Sequence, residues 1–301
     1  MVREVIASFC RGCTTSPLSR DVIANAKVEQ LTYDDLVRRG CPLTGNNGVL
    51  PYTRTGVSLA THAFGHCSED IQAFVAVYTT HLLYLDETFV KDTDGLREFN
   101  SRLICGQKQT NPTLDSLVQV IRDIAGRYEA TRANIMVAST LNFATALLLD
   151  FDTKNMPLSF GAVNYPWFSR VLSGAAEAFA FFIFPPETPL PTIIQAIPDI
   201  MIFLNNGNDV LSFYKEALAG EELNHISLLA AVNETTKTNS LSRIASETVS
   251  AHRRVKNLLK SHPPALEAYN AFSHGYIEFH MTAERYRLRE IVSAGDEVLS
   301  S

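Results

Sequence analysis

The chain has 301 residues, of which 46% are hydrophobic, and its formal net charge is -6. This length and apolar content suffice for one large domain with a substantial core, or for two small domains. The acidic balance and the lack of a basic face argue against a nucleic-acid partner, because nothing would neutralise the phosphates along a duplex.

The N-terminal residues and the cysteines bear on the location of the protein in the cell. The stretch MVREVIASFCRGC mixes acidic and basic residues and lacks the continuous apolar core of a secretory signal. No run of 18 residues is free of polar groups, which predicts that no segment spans a membrane. The odd number of cysteines favours a reducing, cytoplasmic location, and Cys10-x-x-Cys13 has no second pair with which to form a zinc site. We expect residues 1–20 to form a flexible segment.

Apolar residues recur at helical spacing along most of the chain. The pattern predicts helices at 20–39, 57–66, 68–90, 94–106, 113–127, 129–150, 164–184, 190–217, 221–233, 240–260 and 264–292. Glycine and proline punctuate the intervals, as at Asn111-Pro112, and strand-like alternation is rare. No linker divides the chain. We therefore predict a single all-α domain over residues 1–301, with roughly ten helices around a central cavity.

Three short polar segments lie within or at the ends of these predicted helices. In chain order they are Asp86-Glu87, Arg170-Val171-Leu172-Ser173-Gly174 and Arg285-Tyr286. Taken alone, each has an ordinary explanation. Two acids commonly end a helix, an arginine before a Ser-Gly pair is unremarkable, and basic residues stabilise a helix C-terminus through its dipole.

The stretch from Asn208 to Glu216, NDVLSFYKE, carries the most chemical information. Residues four apart on a helix differ by about 40° around the axis and about 6 Å along it, so Asn208, Ser212 and Glu216 share one face. An amide, a hydroxyl and one carboxylate suit a hydrated Mg2+ that shares its remaining sites with substrate phosphates. Lys215 adds a point charge for a phosphate beside that cation. The alternative is a solvated helix face with the same spacing.

The order Asn-Asp-x-x-Ser-x-x-Lys-Glu resembles the second metal-binding motif of class I terpene cyclases, and the whole string is most similar to the trichodiene synthase-like branch. The other polar segments fall where that family places its own motifs. Asp86 lies 122 positions before Asn208, Arg170 lies 38 before it, and Arg285 lies 77 after it. The resemblance covers residues 86–286 and implies the class I terpene synthase fold.

The resemblance also implies roles for particular residues. Three Mg2+ ions, or Mn2+ in their place, would be held by Asp86, Asn208, Ser212 and Glu216. The aspartate-rich motif is incomplete because Val90 takes its fifth place, and whether Glu87 or Asp92 assists Asp86 stays open. The diphosphate would be bound by Arg170, Lys215, Arg285 and Tyr286. Ser173 and Gly174 would mark an effector break in a helix, where glycine permits the required backbone angles.

The implied reaction is the Mg2+-dependent ionisation of farnesyl diphosphate, followed by cyclisation of the carbocation to a sesquiterpene of secondary metabolism. We expect the pocket for the isoprenoid chain one to three helical turns below the motifs. Its predicted lining is Phe74, Tyr78, Leu82, Phe143, Trp167, Phe179, Leu204, Asn205, Phe279 and Met281.

Several alternatives remain at this stage. The motif spacing fits C10 or C20 prenyl diphosphates as well as C15. A prenyl diphosphate synthase would need a second aspartate-rich motif, which the stretch from Asn208 to Glu216 does not supply. A further hypothesis is a helical protein that binds an isoprenoid without catalysing its reaction. Product identity and a homodimeric state are not determined by the sequence.

Overall fold

The computed structural model describes residues 1–14, 25–91, 93–221 and 224–292. Within these ranges the chain forms fourteen α-helices, three single-turn 3-10 helices and no strand, which confirms the predicted all-α class. The helices are α1 (Val2–Cys13), α2 (Ala26–Arg38), α3 (Leu50–Ala63), α4 (Glu69–Thr88), α5 (Thr93–Ile104), α6 (Pro112–Arg127), α7 (Ala130–Thr153), α8 (Tyr165–Ser173), α9 (Ala176–Phe182), α10 (Leu190–Ile193), α11 (Ile197–Ala219), α12 (His225–Val232), α13 (Lys237–Leu259) and α14 (Pro263–Thr282).

Some predicted helices are divided because the backbone changes direction inside them. The segment 164–184 becomes α8 and α9, separated at Gly174 and Ala175. The segment 190–217 becomes α10 and α11. The segment 264–292 stops at Thr282, because Ala283 is extended and Arg287 has a φ of 57°. The last residues of that segment form the 3-10 helices Glu284–Tyr286 and Leu288–Glu290.

The N-terminal segment differs from the prediction, because Val2–Cys13 forms a helix rather than a flexible arm. Ile6, Phe9, Cys10 and Cys13 are buried at the spacing of one helix face, and α1 packs against α13, α11 and α14. Burying a side chain such as Ile6 or Phe9 contributes about 1.5–3 kcal/mol. The two cysteines are therefore packing residues, while residues 15–20 lie outside the described ranges.

Two long helices position the polar motifs. Helix α4 is capped by Ser68, whose hydroxyl accepts a hydrogen bond from the Ile71 amide, and its last turn carries Asp86 and Glu87. Helix α11 ends at Gly220, which adopts the left-handed conformation with φ 71° that favours glycine. The stretch from Asn208 to Glu216 lies in the second half of α11.

Helix α7 is, among the described helices, the one long and apolar enough to cross a membrane by length and composition alone. It packs against α5, α6, α8 and α9. Near its start, the fully buried Arg132 donates hydrogen bonds to the carbonyl oxygens of Phe184 and Pro185. Helix α7 is therefore part of the helical bundle, although only 39% of its apolar window is buried there.

Candidate active site

A cavity of about 540 Å³ lies between α3, α4, α7, α8, α9, α11, α12 and α14. This volume is within the usual range for small-molecule sites. Its lining changes from apolar to charged along three elements. On α4, Leu82 is followed one turn later by Asp86. On α11, Leu204 precedes the triad, and beyond α14, Phe279 is followed by Arg285. The cavity therefore has an apolar interior and a charged rim.

All the predicted metal and diphosphate residues lie together at this rim. They are Asp86, Glu87, Arg170, Asn208, Ser212, Lys215, Glu216, Arg285 and Tyr286. They come from four parts of the chain that are up to 200 residues apart, between Asp86 and Tyr286. Asp92 lies outside the described residues.

The Asn208 amide is held from two sides. Its Nδ2 is 3.4 Å from Nε2 of His280, and its Oδ1 is 3.4 Å from Nη2 of Arg170. The Nδ1 of His280 is 2.7 Å from the Tyr276 carbonyl oxygen, which can only accept, so Nδ1 carries the proton and Nε2 accepts from Asn208. Burial lowers the pKa of His280 to about 3, which keeps the imidazole neutral. This chain of bonds directs the amide oxygen away from His280.

The Ser212 hydroxyl lacks the hydrogen-bond partner that a buried polar group usually has. The Ser212 hydroxyl lowers the pKa of the neighbouring Glu216 carboxyl, yet its oxygen is buried and makes no hydrogen bond of good geometry within the described residues. Burial is the largest effect on Glu216 and raises its pKa. A buried hydroxyl without a partner costs about 1–3 kcal/mol. Both groups are therefore suited to a ligand that the protein itself does not supply.

The Asp86 carboxyl, like that of Glu216, has a raised pKa. Its pKa is raised first by burial and then by the adjacent Glu87, while Arg285 and Lys215 lower it. Glu87 has a cationic partner, since its Oε1 lies 3.6 Å from Nη2 of Arg285. A further carboxylate, Asp150 on α7, lines the same cavity, and its pKa is raised by burial and by Asp86. The rim thus concentrates carboxylates that a cation would stabilise.

Arg170 is anchored by a residue to which the sequence analysis gave no role. Its Nε donates to Asp209 at 2.9 Å to Oδ1 and 3.0 Å to Oδ2, and its Nη2 donates to the Asn205 carbonyl at 3.0 Å. The two side chains are only 14% and 11% exposed. The edge of the guanidinium formed by Nε and Nη2 is therefore occupied. Among the described residues no partner is seen for Nη1, which is left to bind an anion. Asp209 is the second residue of the NDVLSFYKE string, which is the signal that could have identified it.

The helix breaks between α8 and α9, but not for the reason given from the sequence. Gly174 has ordinary right-handed angles, φ -88° and ψ -20°, whereas Ala175 is left-handed with φ 45°. Glycine is required at 174 because a Cβ there would lie 1.9 Å from Oδ1 of Asn205. The interpretation that Gly174 supplies backbone freedom is wrong. Its role is the close approach of α8 to α11, and both Ser173 and Gly174 line the cavity.

Six of the ten predicted pocket residues line the cavity, and four do not. The six are Leu82, Phe143, Phe179, Leu204, Asn205 and Phe279. The four that the structure places elsewhere are Phe74, Tyr78, Trp167 and Met281. Phe74 and Tyr78 are buried behind the wall, where the Tyr78 hydroxyl lies 2.9 Å from Oγ1 of Thr140.

The four errors have a common geometric origin. Each step of four residues turns about 40° around a helix, so the series 86, 82, 78, 74 leaves the cavity face after one step. Trp167 lies about 110° around α8 from its lining residues, and it is 63% exposed. Met281 lies on the side of α14 opposite to Phe272 and Phe279, which do line the cavity.

The described residues contain no cluster of three or more His, Cys, Asp and Glu side chains that could hold a metal ion. His62, His66 and Cys67, which are close in the sequence, each hydrogen-bond a backbone carbonyl oxygen, those of Ser58, Ile183 and Phe182. A cation at the rim would therefore rely on mixed oxygen donors, namely the amide, hydroxyl and carboxylate of the triad with Asp86. It would also need oxygens from outside the protein, which is how Mg2+ is commonly bound.

Comparison with known proteins places these features in a family. The family model for trichodiene synthase matches residues 47–299. The chain is similar to alpha-cuprenene synthase COP6 of Coprinopsis cinerea, with 34% identity over 239 residues that cover 79% of this chain and 74% of the relative. It is also similar to terpene synthase BipA of Cochliobolus sativus, with 32% identity over 290 residues that cover 93% and 87%.

The fold is similar to that of solved terpene synthases. A linalool/nerolidol synthase from Streptomyces clavuligerus superposes with a TM-score of 0.65 and covers 89% of this chain and 98% of its own. The sequence identity is 13%, so this likeness concerns the fold alone.

Proposed function

The chain belongs to the trichodiene synthase family of class I terpene cyclases, and from that membership we propose that it ionises farnesyl diphosphate and cyclises the cation to a sesquiterpene. The observation that carries this proposal is the polarity of the cavity, which is apolar inside and charged at the rim. A prenyl diphosphate has the same division between an apolar chain and an anionic end. The similarity to an alpha-cuprenene synthase supports a C15 substrate.

The rim suits Mg2+, with Mn2+ as an alternative and three ions as the family expectation. Asn208, Ser212, Glu216 and Asp86 would hold the metal, with Glu87 beside them. The fit rests on the unpaired Ser212 hydroxyl and on the Asp86 and Glu216 carboxyls, whose pKa values are raised. When bound, the metal supplies Lewis-acid neutralisation of the leaving diphosphate.

The side chains at the rim bind and orient the diphosphate. Lys215, Arg285 and Tyr286 line the cavity with hydrogen-bond donors, from α11 and from the 3-10 helix Glu284–Tyr286. Arg170 adds its remaining N–H groups, and the Asp209 carboxylate fixes the guanidinium before substrate arrives. Such preorganised donors gain strength as negative charge develops on the departing oxygens, so they favour cleavage of the C–O bond over simple binding.

The apolar interior protects the cation that remains. Aromatic side chains contribute much of this wall, and they are Phe64, Phe143, Phe179, Phe272 and Phe279. The face of an aromatic ring attracts a cation through its quadrupole. A wall of this kind also limits the water that could quench the cation early. It therefore supports folding and ring closure of the isoprenoid chain.

The proposal is tested by offering the purified protein C10, C15 and C20 prenyl diphosphates with Mg2+. Diphosphate release and the terpene products are measured together, the products by gas chromatography–mass spectrometry, with a chelator as control. We expect a cyclic C15 product that disappears with the chelator. Turnover of the C10 or C20 substrate alone would reject the chain length. No release from any of the three would reject the activity and favour a protein that only binds isoprenoids. We also propose a cytoplasmic location, in keeping with the free cysteines.

A further inference from the structure

One buried threonine in the cavity wall departs from the pattern that the other buried threonines follow. Nine threonines in the described residues are buried. Eight of them donate to a backbone carbonyl. Seven bond the carbonyl four residues earlier, and they are Thr32, Thr53, Thr61, Thr80, Thr140, Thr248 and Thr282. Thr113 bonds the carbonyl of Asn47. The ninth, Thr79, has no hydrogen-bond partner within the described residues.

The contrast is sharpest within helix α4. Thr80 donates to the Ala76 carbonyl at 2.7 Å, as buried threonines on helices commonly do. Thr79, its neighbour in the chain, makes no equivalent bond to Val75 although the helix is continuous there. Thr79 is 6% exposed and lines the cavity. Its hydroxyl is therefore nine-tenths buried, unpaired, and placed in the wall of the proposed substrate chamber.

A buried hydroxyl of this kind normally has a partner in the protein or in an ordered water molecule. Water is retained in a cavity when polar groups supply two to four hydrogen bonds. Thr55 and Asn205 are among the other neutral polar side chains that line the cavity, together with apolar residues such as Leu59 and Leu82. A water molecule bound at Thr79 would thus have further polar groups within the same chamber.

The position of Thr79 indicates which part of the substrate such a water meets. Thr79 lies seven residues before Asp86 on one helix, which is about 10 Å along its axis. The diphosphate is proposed to sit at Asp86, so a water at Thr79 lies well inside the chamber, beside the isoprenoid chain. There it is remote from the carbon that loses the diphosphate and close to carbons that become cationic after the chain has folded.

We propose that Thr79 holds a water molecule that captures a late carbocation, so that the product of this enzyme is a terpene alcohol. This inference rests on the proposed ionisation chemistry. A lone pair of the water oxygen forms a C–O bond to the cationic carbon. The resulting oxonium then passes one proton, by way of a second water molecule in the chamber, to the diphosphate anion released in the first step. The alcohol and a protonated diphosphate are formed, and no oxidant or further reactant is needed.

The test uses full-length protein with farnesyl diphosphate and Mg2+ in water enriched in oxygen-18. Wild type is compared with Thr79→Val, which replaces the hydroxyl by a methyl group of similar size. Thr80→Val is the matched control, since it makes the same change at a hydroxyl bonded to its own helix. Diphosphate release, the labelled alcohol and the melting temperature are measured for each. We expect wild type and Thr80→Val to give labelled alcohol. In Thr79→Val the alcohol fraction of the products should fall about tenfold or more, while diphosphate is still released.

The outcomes separate the inference from the proposed function. Diphosphate release by wild type with unlabelled hydrocarbon alone overturns the role of Thr79 and leaves the cyclase proposal standing. A labelled alcohol whose fraction is unchanged in Thr79→Val also overturns it, because another group then holds the water. Absence of diphosphate release by wild type rejects the proposed function and this inference with it.

Discussion

Substitution of Gly174 by alanine tests how the break between α8 and α9 is held against α11. The added Cβ would lie 1.9 Å from Oδ1 and 2.9 Å from Cγ of Asn205, so this side chain must move. Asn205 is 5% exposed and has little room. Forcing extra atoms into a packed site costs about 1–3 kcal/mol. We therefore expect Gly174→Ala to lower the free energy of unfolding by that amount.

The backbone conformation predicts that Gly174→Ala no longer lowers the free energy of unfolding once the contact with Asn205 is removed. At φ -88° alanine is unstrained, and it has a higher helix propensity than glycine by up to about 1 kcal/mol. In an Asn205→Ala background, the three nearest atoms to the new Cβ are absent. The same glycine-to-alanine change should there be neutral or stabilising. The double-mutant cycle should give a coupling energy of about 1–3 kcal/mol, which is expected for residues in contact.

The assay is urea-induced unfolding of wild type, the two single variants and the double variant. Farnesyl diphosphate turnover is measured in parallel, because both residues line the cavity. An equal loss of stability from Gly174→Ala in both backgrounds would refute the reasoning. It would mean that position 174 needs glycine for its backbone angles rather than for the contact with Asn205.

Other predictions concern the groups around the diphosphate and the triad. Asp209→Asn should reduce kcat about 10–100-fold, because it loosens the buried ion pair with Arg170. Asp199→Asn removes a more exposed ion pair, with Arg254, and should change turnover little. Equal effects of the two substitutions would contradict this prediction. His280→Asn should weaken Mn2+ binding with inorganic diphosphate about 10–100-fold, as loss of groups behind metal ligands does. His280→Gln has a longer side chain, whose amide oxygen can take the place of the Nε2 acceptor for Asn208, and should recover part of the binding. Paramagnetic resonance of Mn2+ measures both variants. Glu216 and Asp86 bind protons more tightly when folded, so without metal the free energy of unfolding should fall as pH rises through their raised pKa values. A smaller slope in Glu216→Gln across pH 4–7 would support this, and an unchanged slope would contradict it.

The sequence predicted the rim because its information is local. Asn208, Ser212 and Glu216 are brought to one face by helical geometry alone, and α11 places all three on the cavity. The helices themselves followed from apolar spacing and from breaks at glycine and proline. The expectation of a flexible segment was wrong at Val2–Cys13, where Ile6, Phe9, Cys10 and Cys13 form a regular apolar stripe.

The remaining features depend on contacts between distant parts of the chain. The anchoring of Arg170 by Asp209 and the hydrogen bond from Asn208 to His280 join residues 39 and 72 positions apart. The need for glycine at 174 arises from Asn205 on another helix. The unpaired hydroxyl of Thr79 is visible only when the partners of the other buried threonines are known. No periodicity or motif spacing contains this information.

The central claim is that the triad on α11 and Asp86 hold the metal needed to ionise a prenyl diphosphate. The most direct measurement is diphosphate release from farnesyl diphosphate across a range of Mg2+ concentrations, in wild type and in Glu216→Gln. Glu247→Gln, a change at an exposed residue of α13, serves as the control. We predict release that requires Mg2+ and falls about 100-fold or more in Glu216→Gln, since several kcal/mol of leaving-group stabilisation would be lost. Release that persists without Mg2+, or that is equal in Glu216→Gln and Glu247→Gln, would contradict the claim.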